Sequence, residues 1–318
     1  MSTGSKVYDA AIVGGGPAGV SCAIWLARLG LKPILIEAAD ALGGLCRNNP
    51  FLDPWNASLP GLTGTQVANN LALSARQADV PVLLSSRASK VQTDDEGFAV
   101  SLHGGGDIVC ARHLVLATGV RARGLGVRAG DAPDQVQQGR EPALQRLALG
   151  ESSEGVLIGP GRHIVAQDFR GKKVAVLGGG DNAFENALYA LEHGAGSLRL
   201  FARNIRAQRQ FVRNLDPALV HAGSYTIDPD ARMVNGEAYD LILVFYGWEP
   251  CIDFAVALGL QRSAQGFIAT DMETAQTSVP GVYAIGEVAQ RQHPCVVTAL
   301  ADGVTAAKAI QARIEAVA

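Results

Sequence analysis

The sequence contains few cysteines, and their spacing argues against the common cysteine-based frameworks. Five cysteines occur in 318 residues, and no two of them form a C-x-x-C pair. A disulfide-bonded scaffold or a structural zinc site needs clustered cysteines, so neither is expected here. The five are Cys22, Cys46, Cys110, Cys251 and Cys295.

Excess positive charge and long apolar segments are also missing. The formal net charge is −3, whereas nucleic-acid binding needs a concentrated basic surface. The first apolar stretch, residues 8–29, is interrupted by glycines and a proline, which a membrane helix or a signal peptide would not favour. We therefore expect a cytoplasmic protein with no nucleic-acid partner and no membrane partner.

Glycine is abundant, with 37 residues, and glycine turns separate short apolar runs. Residues 7–13 and 33–37 are apolar runs that flank an apolar-periodic segment, which is typical of a strand–helix–strand unit with buried parallel strands. The same order returns at 173–201, and 318 residues suit two domains. The sequence predicts an α/β fold with two doubly wound, Rossmann-like dinucleotide-binding domains.

Other segments predict the connections and the end of the chain. We expect a helix capped by Thr65 and ending near residue 78, and a hairpin turn at 103–107. Residues 121–170 are rich in Gly, Gln and Arg and are interpreted as an irregular crossing between the domains. Residues 295–315 predict a long closing helix.

The first glycine turn has the spacing of a dinucleotide-binding site. Gly14, Gly16 and Gly19 would permit the tight turn, the approach of a pyrophosphate, and the packing of helix on strand. The helix N-terminus adds N–H groups and partial positive charge for the phosphates. Glu37, at the end of the next strand, could accept hydrogen bonds from a ribose. The predicted site also includes Pro17 and Ala18; the alternative is a glycine turn without a ligand.

A second turn repeats this arrangement near the middle of the chain. It also follows an apolar run and opens a helix, and it predicts a second dinucleotide site. Its predicted ligand-binding residues are Gly178, Gly180, Asp181, Asn182 and Ala183.

The residues after this second unit suggest which nucleotide binds. The offset from Gly14 to Glu37 leads here to Phe201, which has no carboxylate, and Arg203, Arg206 and Arg209 follow. Loss of the acid and gain of arginines favours a 2′-phosphate, and therefore NADPH, with NADH as the alternative. A solvated basic helix face is the other interpretation of Arg206 and Arg209, whereas Arg203, directly after the strand, is the favoured phosphate ligand.

With these motifs in this order, the chain resembles the thioredoxin reductase-like family of FAD- and NAD(P)-dependent oxidoreductases. The matching segments are 14–19, 42–44, 60–64, 117–119, 178–183, 282–287 and 301–303, which span nearly the whole chain. The resemblance implies a discontinuous FAD-binding domain of residues 1–122 and 248–318, with an NAD(P)-binding domain at 123–247. It also implies a homodimer.

The resemblance assigns further residues to the FAD site. It places Gly286 and Glu287 near the ribityl and pyrophosphate groups, although the family usually has Asp at position 287. It brings the backbone of Cys295 and Val296 near the flavin ring, where a helix N-terminus would stabilise negative charge. The matched motifs add Gly44, Thr118 and Gly119 to this site.

One feature of thioredoxin reductases is missing. Their C-x-x-C would lie at 161–164, where this chain has Gly-Arg-His-Ile, so it cannot use the family's internal dithiol. Cys46 follows a Gly-Gly pair that should lie near the flavin and is a candidate redox cysteine, as is Cys295. His293 is a candidate proton donor. The alternative for each is a structural role.

The resemblance therefore implies a flavoprotein enzyme in which NADPH, or NADH, reduces FAD and the electrons pass to a further acceptor. One candidate acceptor is ferredoxin or flavodoxin, since ferredoxin–NADP reductases of this type also lack the C-x-x-C. A second is a thioredoxin-like protein or small disulfide reduced through a single cysteine. The third possibility is a flavin-binding redox sensor with little turnover.

Overall fold

The computed structural model describes residues 7–94, 97–104, 107–126 and 150–316. By its internal contacts, the chain divides into two compact units. The first comprises Met1–Val120 and Glu249–Ala318, and the second comprises Arg121–Trp248. Both are α/β, as the sequence predicts.

The first unit is built on a seven-stranded sheet in the order β3-β2-β1-β6-β5-β4, with β17 also paired to β6. Strands β1, β2, β3, β6 and β17 pair in parallel, whereas β5 pairs antiparallel with β4 on one side and with the start of β6 on the other. The strands are β1 (Val7–Val13), β2 (Pro33–Ile36), β3 (Val82–Leu83), β4 (Ala88–Asp94), β5 (Gly97–Leu102), β6 (Ile108–Leu116) and β17 (Val282–Ala284).

The described residues of this unit form three α-helices: α1 (Pro17–Arg28), α2 (Gly64–Gln77) and α6 (Val296–Glu315). Pro17 suits the first turn of α1 because its missing N–H would have no partner inside the helix. The cap of α2 is Thr63, whose side chain accepts from the Gln66 N–H, so the prediction of Thr65 as the cap was wrong by two residues. The long closing helix is confirmed.

The second unit contains a five-stranded parallel sheet in the order β11-β10-β9-β15-β8 and a three-stranded antiparallel sheet. The parallel strands are β8 (Val156–Ile158), β9 (Lys173–Leu177), β10 (Ser197–Ala202), β11 (Val220–Ala222) and β15 (Leu241–Val244). The antiparallel strands are β12 (Ile227–Asp228), β13 (Met233–Val234) and β14 (Glu237–Ala238). In the described part of this unit the α-helices are α3 (Arg162–Val165), α4 (Asp181–Glu192) and α5 (Arg209–Asn214).

Strand β8 and helix α3 lie inside the segment 121–170 that the sequence indicates as irregular, which corrects that interpretation for its described part. Residues 127–149 of this segment lie outside the described residues. All three residues of β8 are buried, but three residues between glycine-rich neighbours are too few to show a periodic pattern. Two further short strands, β7 (Val120–Ala122) and β16 (Trp248–Pro250), lie where the chain passes between the units. Among the described helices, none has the length and apolar character that crossing a bilayer requires.

Candidate functional site

A cavity of about 350 Å³ opens in the first unit, at the carboxyl ends of its parallel strands. The segments following β1, β2, β6 and β17 all contribute to it, and so do the N-termini of α1 and α6. Ligands of doubly wound sheets bind at this edge. The structure brings together these residues of the predicted FAD site: Gly14, Gly16, Pro17, Ala18, Glu37, Gly44, Thr118, Gly119, Gly286, Glu287, Cys295 and Val296.

The three turn glycines have different roles in this geometry. Gly14 has φ +111°, and a Cβ there would lie 2.3 Å from the Ala117 carbonyl oxygen. A Cβ on Gly19, which does not line the cavity, would lie 1.9 Å from the Gly14 carbonyl oxygen. A Cβ on Gly16 would meet nothing nearer than the Gly44 Cα at 3.8 Å. The first and third glycines are therefore required by the fold itself, whereas the protein leaves space over Gly16.

Glu37 lies where the sequence predicts a ribose-binding acid. One carboxylate oxygen accepts from the Gly15 N–H at 2.6 Å, and the other accepts from the Ala39 N–H at 2.7 Å. These bonds fix the carboxylate at the end of β2, against the first glycine turn. Each oxygen keeps lone-pair capacity for a further donor such as a hydroxyl.

Thr118 provides the test of whether the cavity suits a polar cofactor. Its Oγ1 is buried and has no hydrogen-bond partner among the described residues. A buried hydroxyl without a partner is unfavourable, because it has lost water without gaining another bond. Since Thr118 lines the cavity, a ligand with ribose and phosphate oxygens could satisfy it. The donor groups present therefore fit FAD.

Glu287 also lines the cavity, in the short 3₁₀ turn Gly286–Val288. Burial raises the pKa of its carboxyl above the ordinary value for Glu, because the charged form is poorly solvated there. A carboxyl that is more easily protonated can donate a hydrogen bond as well as accept one. Glu287 is thus suited to a hydroxyl-bearing part of a ligand.

Cys46 lines the same cavity, but its environment opposes thiolate formation. Burial, followed by the charges of Asp53 and Glu287, raises the pKa of the Cys46 thiol to about 11. At that value roughly one thiol in ten thousand is ionised at pH 7, and the thiolate is the nucleophile in disulfide exchange.

We therefore expect Cys46 to react slowly with iodoacetamide at pH 7, at a rate that is still rising at about pH 10. Mass spectrometry of samples quenched at several pH values would measure this. The same protein denatured in guanidinium is the control, since there the thiol should have an ordinary pKa near 8.5. A rate that reaches its plateau in the folded protein below about pH 9 would contradict the prediction.

The other two predicted catalytic residues lie at the start of α6. Cys295 is the helix N-cap, and its Sγ accepts from the Thr298 N–H at 3.5 Å, which accounts for it structurally. Val296, in the first turn, lines the cavity as predicted. His293 is exposed and is not among the lining residues of the cavity.

In the second unit, Gly178 and Gly180 repeat the contrast seen at the first turn. Gly178 has φ +141°, and a Cβ there would lie 2.3 Å from the Phe245 carbonyl oxygen. A Cβ on Gly180 would meet no atom of the described chain within 4 Å. Asn182 and the buried Ala183 follow in the first turn of α4. This turn therefore also leaves space above its second glycine, at the N-terminus of a helix.

The predicted charged residues near this turn differ in whether other residues already bind them. Asp181 is already bonded, since it accepts from the backbone N–H and the side-chain amide of Gln208 at 2.7 and 2.8 Å. Arg203 directly follows β10, and both Arg203 and Arg206 are exposed. Asp181 thus shapes the neighbouring loop, whereas the two arginines are accessible to a ligand.

Sequence reasoning missed several residues of the cavity. Most are chain neighbours of predicted residues, so widening each motif by one residue would have found them: Gly15, Leu45, Ala117, Val120 and Ile285. Ala299 lies one helical turn after Val296 and could have been found from helical spacing.

Comparisons with known proteins agree with this architecture. The family model for pyridine nucleotide-disulphide oxidoreductases matches residues 8–303. A ferredoxin–NADP reductase of Granulibacter bethesdensis is 30% identical over 311 residues, covering 88% of this chain and 81% of that protein. One of Limosilactobacillus fermentum is 29% identical over 307 residues, covering 88% and 85%. Thioredoxin reductase of Lactococcus lactis matches in structure with a TM-score of 0.75 at 22% identity, covering 97% and 99% of the chains.

Proposed function

The chain belongs to the pyridine nucleotide-disulphide oxidoreductase family, and from that premise we propose that it is an FAD-dependent enzyme that oxidises NADPH and reduces ferredoxin or flavodoxin. FAD is assigned to the discontinuous domain of residues 1–122 and 248–318, and the nicotinamide nucleotide to residues 123–247. We further propose that it is a cytoplasmic homodimer. Light scattering on the purified protein would test whether it is a dimer.

The assignment of FAD depends on the cavity at the carboxyl edge of the first sheet. Space above Gly16, the unpartnered Thr118 hydroxyl and the fixed Glu37 carboxylate are the observations that support it. The N-terminus of α1 would stabilise a diphosphate, since its N–H groups and partial positive charge face this edge. Glu37 would accept from the ribose, and Glu287 would contact the ribityl chain.

FAD, when bound, supplies the chemistry that couples a two-electron donor to one-electron acceptors, which no side chain can do. The residues of the chain bind and orient it. The backbone at Cys295 and Val296, at the N-terminus of the 20-residue helix α6, would stabilise negative charge on the ring. Apolar residues such as Val120 and Ile285 would exclude water from the site.

The proposed choice of acceptor follows from the lack of an internal dithiol. Residues 161–164, where the resemblance places the C-x-x-C, contain no cysteine, so electrons cannot reach a protein disulfide by that route. A single-cysteine route through Cys46 is disfavoured, because its raised pKa of about 11 keeps the thiol protonated. Two relatives named ferredoxin–NADP reductase, at 30% and 29% identity, support a one-electron carrier.

Anaerobic stopped-flow mixing of the FAD-loaded protein with NADPH or NADH tests this function. We expect NADPH to bleach the flavin absorbance faster than NADH at equal concentration. Steady-state assays should then show turnover with ferredoxin or flavodoxin, two carrier molecules being reduced for each NADPH, and none with thioredoxin or small disulfides. Rapid bleaching without turnover on any acceptor would instead favour a redox sensor. Absence of bound flavin after reconstitution would refute the proposal.

A further inference from the structure

Arg291 and Asp302 form an ion pair that is buried next to the cavity. The Arg291 Nη1 donates to the Asp302 Oδ1 at 2.6 Å, and the two side chains are only 4% and 6% exposed. Removing two charges from water is costly, and replacing a buried pair by apolar residues is often neutral or stabilising. A contribution to overall stability therefore explains this pair poorly, and its contacts suggest another role.

The second oxygen of Asp302 holds the backbone of the cavity wall. Its Oδ2 accepts from the Gly286 N–H at 3.0 Å. Gly286 has φ +70°, and a Cβ there would lie 2.9 Å from the Ala18 Cβ at the start of α1. A hydrogen bond to an ionised carboxylate is about twice as strong as a neutral one. Asp302 thus fixes the turn that carries Glu287 into the cavity.

Arg291 connects the pair to a third segment. Its other terminal nitrogen, Nη2, donates to the carbonyl oxygens of Met272 and, at 3.4 Å, of Asp271. Along the chain, Arg291 lies between the Gly286–Val288 turn and α6. One side chain therefore joins the 271–272 loop to Asp302 on α6, and through Asp302 to the turn.

Helix α6 is in turn fixed against helix α1, whose N-terminus lines the cavity. A Cβ on Gly303 would lie 2.6 Å from the Ala18 carbonyl oxygen, so the two helices approach closely at this point. The Ser21 hydroxyl donates to the Leu300 carbonyl at 2.7 Å. Because Asp302 lies between these contacts, it sets the position of the turn relative to α1.

We infer that Arg291 and Asp302 are positioning residues for the cofactor site, which hold Gly286 and Glu287 at a fixed position relative to α1. The inference rests on the proposed FAD function. The carboxylate gives the strong acceptor that the Gly286 N–H requires, and the guanidinium neutralises it. An unneutralised carboxylate here would oppose a nearby diphosphate in a low-dielectric setting.

Asp302→Ala tests the positioning role directly. The substitution removes the acceptor for the Gly286 N–H, so we expect the dissociation constant of FAD from the apoprotein to rise about tenfold or more. Quenching of FAD fluorescence would measure it, and circular dichroism would give the melting temperature of each apoprotein. Asp302→Asn, which keeps an oxygen acceptor, should weaken FAD binding less.

His113→Ala is the matched control. His113 is also a buried polar residue of the first unit, 6% exposed and bonded to the Asp9 carbonyl at 2.9 Å, but it does not line the cavity. It should lower the melting temperature and leave FAD affinity within about twofold of the parent. The inference is refuted if the two variants, His113→Ala and Asp302→Ala, lose the same amount of thermal stability and also show the same rise in the dissociation constant of FAD.

A double substitution tests the role of Arg291. Arg291→Met leaves the Asp302 carboxylate buried and unpaired, so it should weaken FAD binding at least tenfold, on the order of one lost charge-assisted bond. Adding Asp302→Asn to Arg291→Met removes that charge and should restore part of the affinity. An additive loss in the double variant would overturn the role of the charge.

If the parent itself binds no FAD, the proposed function fails, and this inference fails with it.

Discussion

Gly16→Ala is expected to raise the dissociation constant of FAD about 10- to 100-fold while the apoprotein keeps its stability. The protein alone tolerates the new methyl group, since its Cβ would lie 3.8 Å from the Gly44 Cα, and Gly16 has φ −75°, which any residue adopts. The same methyl group would occupy the space above the turn where the diphosphate is proposed to lie. Overpacking of this size costs about 1–3 kcal/mol. Fluorescence titration of the apoprotein with FAD would measure the change.

Gly180→Ala is the matched control for that experiment. Gly180 occupies the same place in the second turn, has φ −97°, and has no atom of the described chain within 4 Å of the added Cβ. This variant should keep FAD affinity and instead lose affinity for NADPH. If both variants lowered FAD binding alike, the division of the two cofactors between the units would be wrong. If Gly16→Ala unfolded the apoprotein, the prediction that the protein alone tolerates the methyl group would be wrong.

Arg203→Ala is expected to raise the dissociation constant of NADPH about 10- to 100-fold and to leave that of NADH nearly unchanged. Arg203 is exposed and directly follows β10, just as Glu37 directly follows β2 in the first unit. A charge-assisted hydrogen bond to a 2′-phosphate contributes about 1.5–3 kcal/mol, and NADH lacks that group. The concentration dependence of flavin reduction in stopped-flow experiments would give both constants.

Arg209→Ala serves as the control for Arg203→Ala. Arg209 is also an exposed arginine of the same region, at the first residue of α5 and farther from the end of β10. A general effect of surface charge on an anionic ligand would appear in both variants and would decrease with salt. A specific phosphate contact should appear in Arg203→Ala alone. Equal losses for NADPH and NADH in Arg203→Ala would show that the arginine does not recognise the 2′-phosphate.

Much of the site could be predicted because its chemistry depends on local backbone geometry. The spacing of Gly14, Gly16 and Gly19 encodes a turn, and Glu37 follows from the length of one strand–helix–strand unit. Parallel strands then bring their carboxyl ends to one edge, so residues after β6 and β17 join the same cavity. Positions after strand ends are thus recognisable from the sequence.

Contacts between distant segments could not be predicted in this way. Nothing in the sequence connects Arg291 to Asp302 or Asp302 to the Gly286 N–H, since the pairing exists only after α6 packs on α1. The sequence also offered Cys46 as a redox candidate, whereas folding places it beside Asp53 and Glu287 and raises its pKa to about 11.

The sequence by itself determined the α/β fold, the two glycine turns and the absence of an internal dithiol. These features depend on residue type and spacing along the chain, which set backbone conformation locally. The tertiary structure decided which buried groups have partners. Among the described residues it gives the Thr118 hydroxyl no hydrogen-bond partner, it pairs Arg291 with Asp302, and it buries Cys46 near negatively charged side chains. Solvation and electrostatic energies depend on distances in space, so they appear only when remote parts of the chain come together.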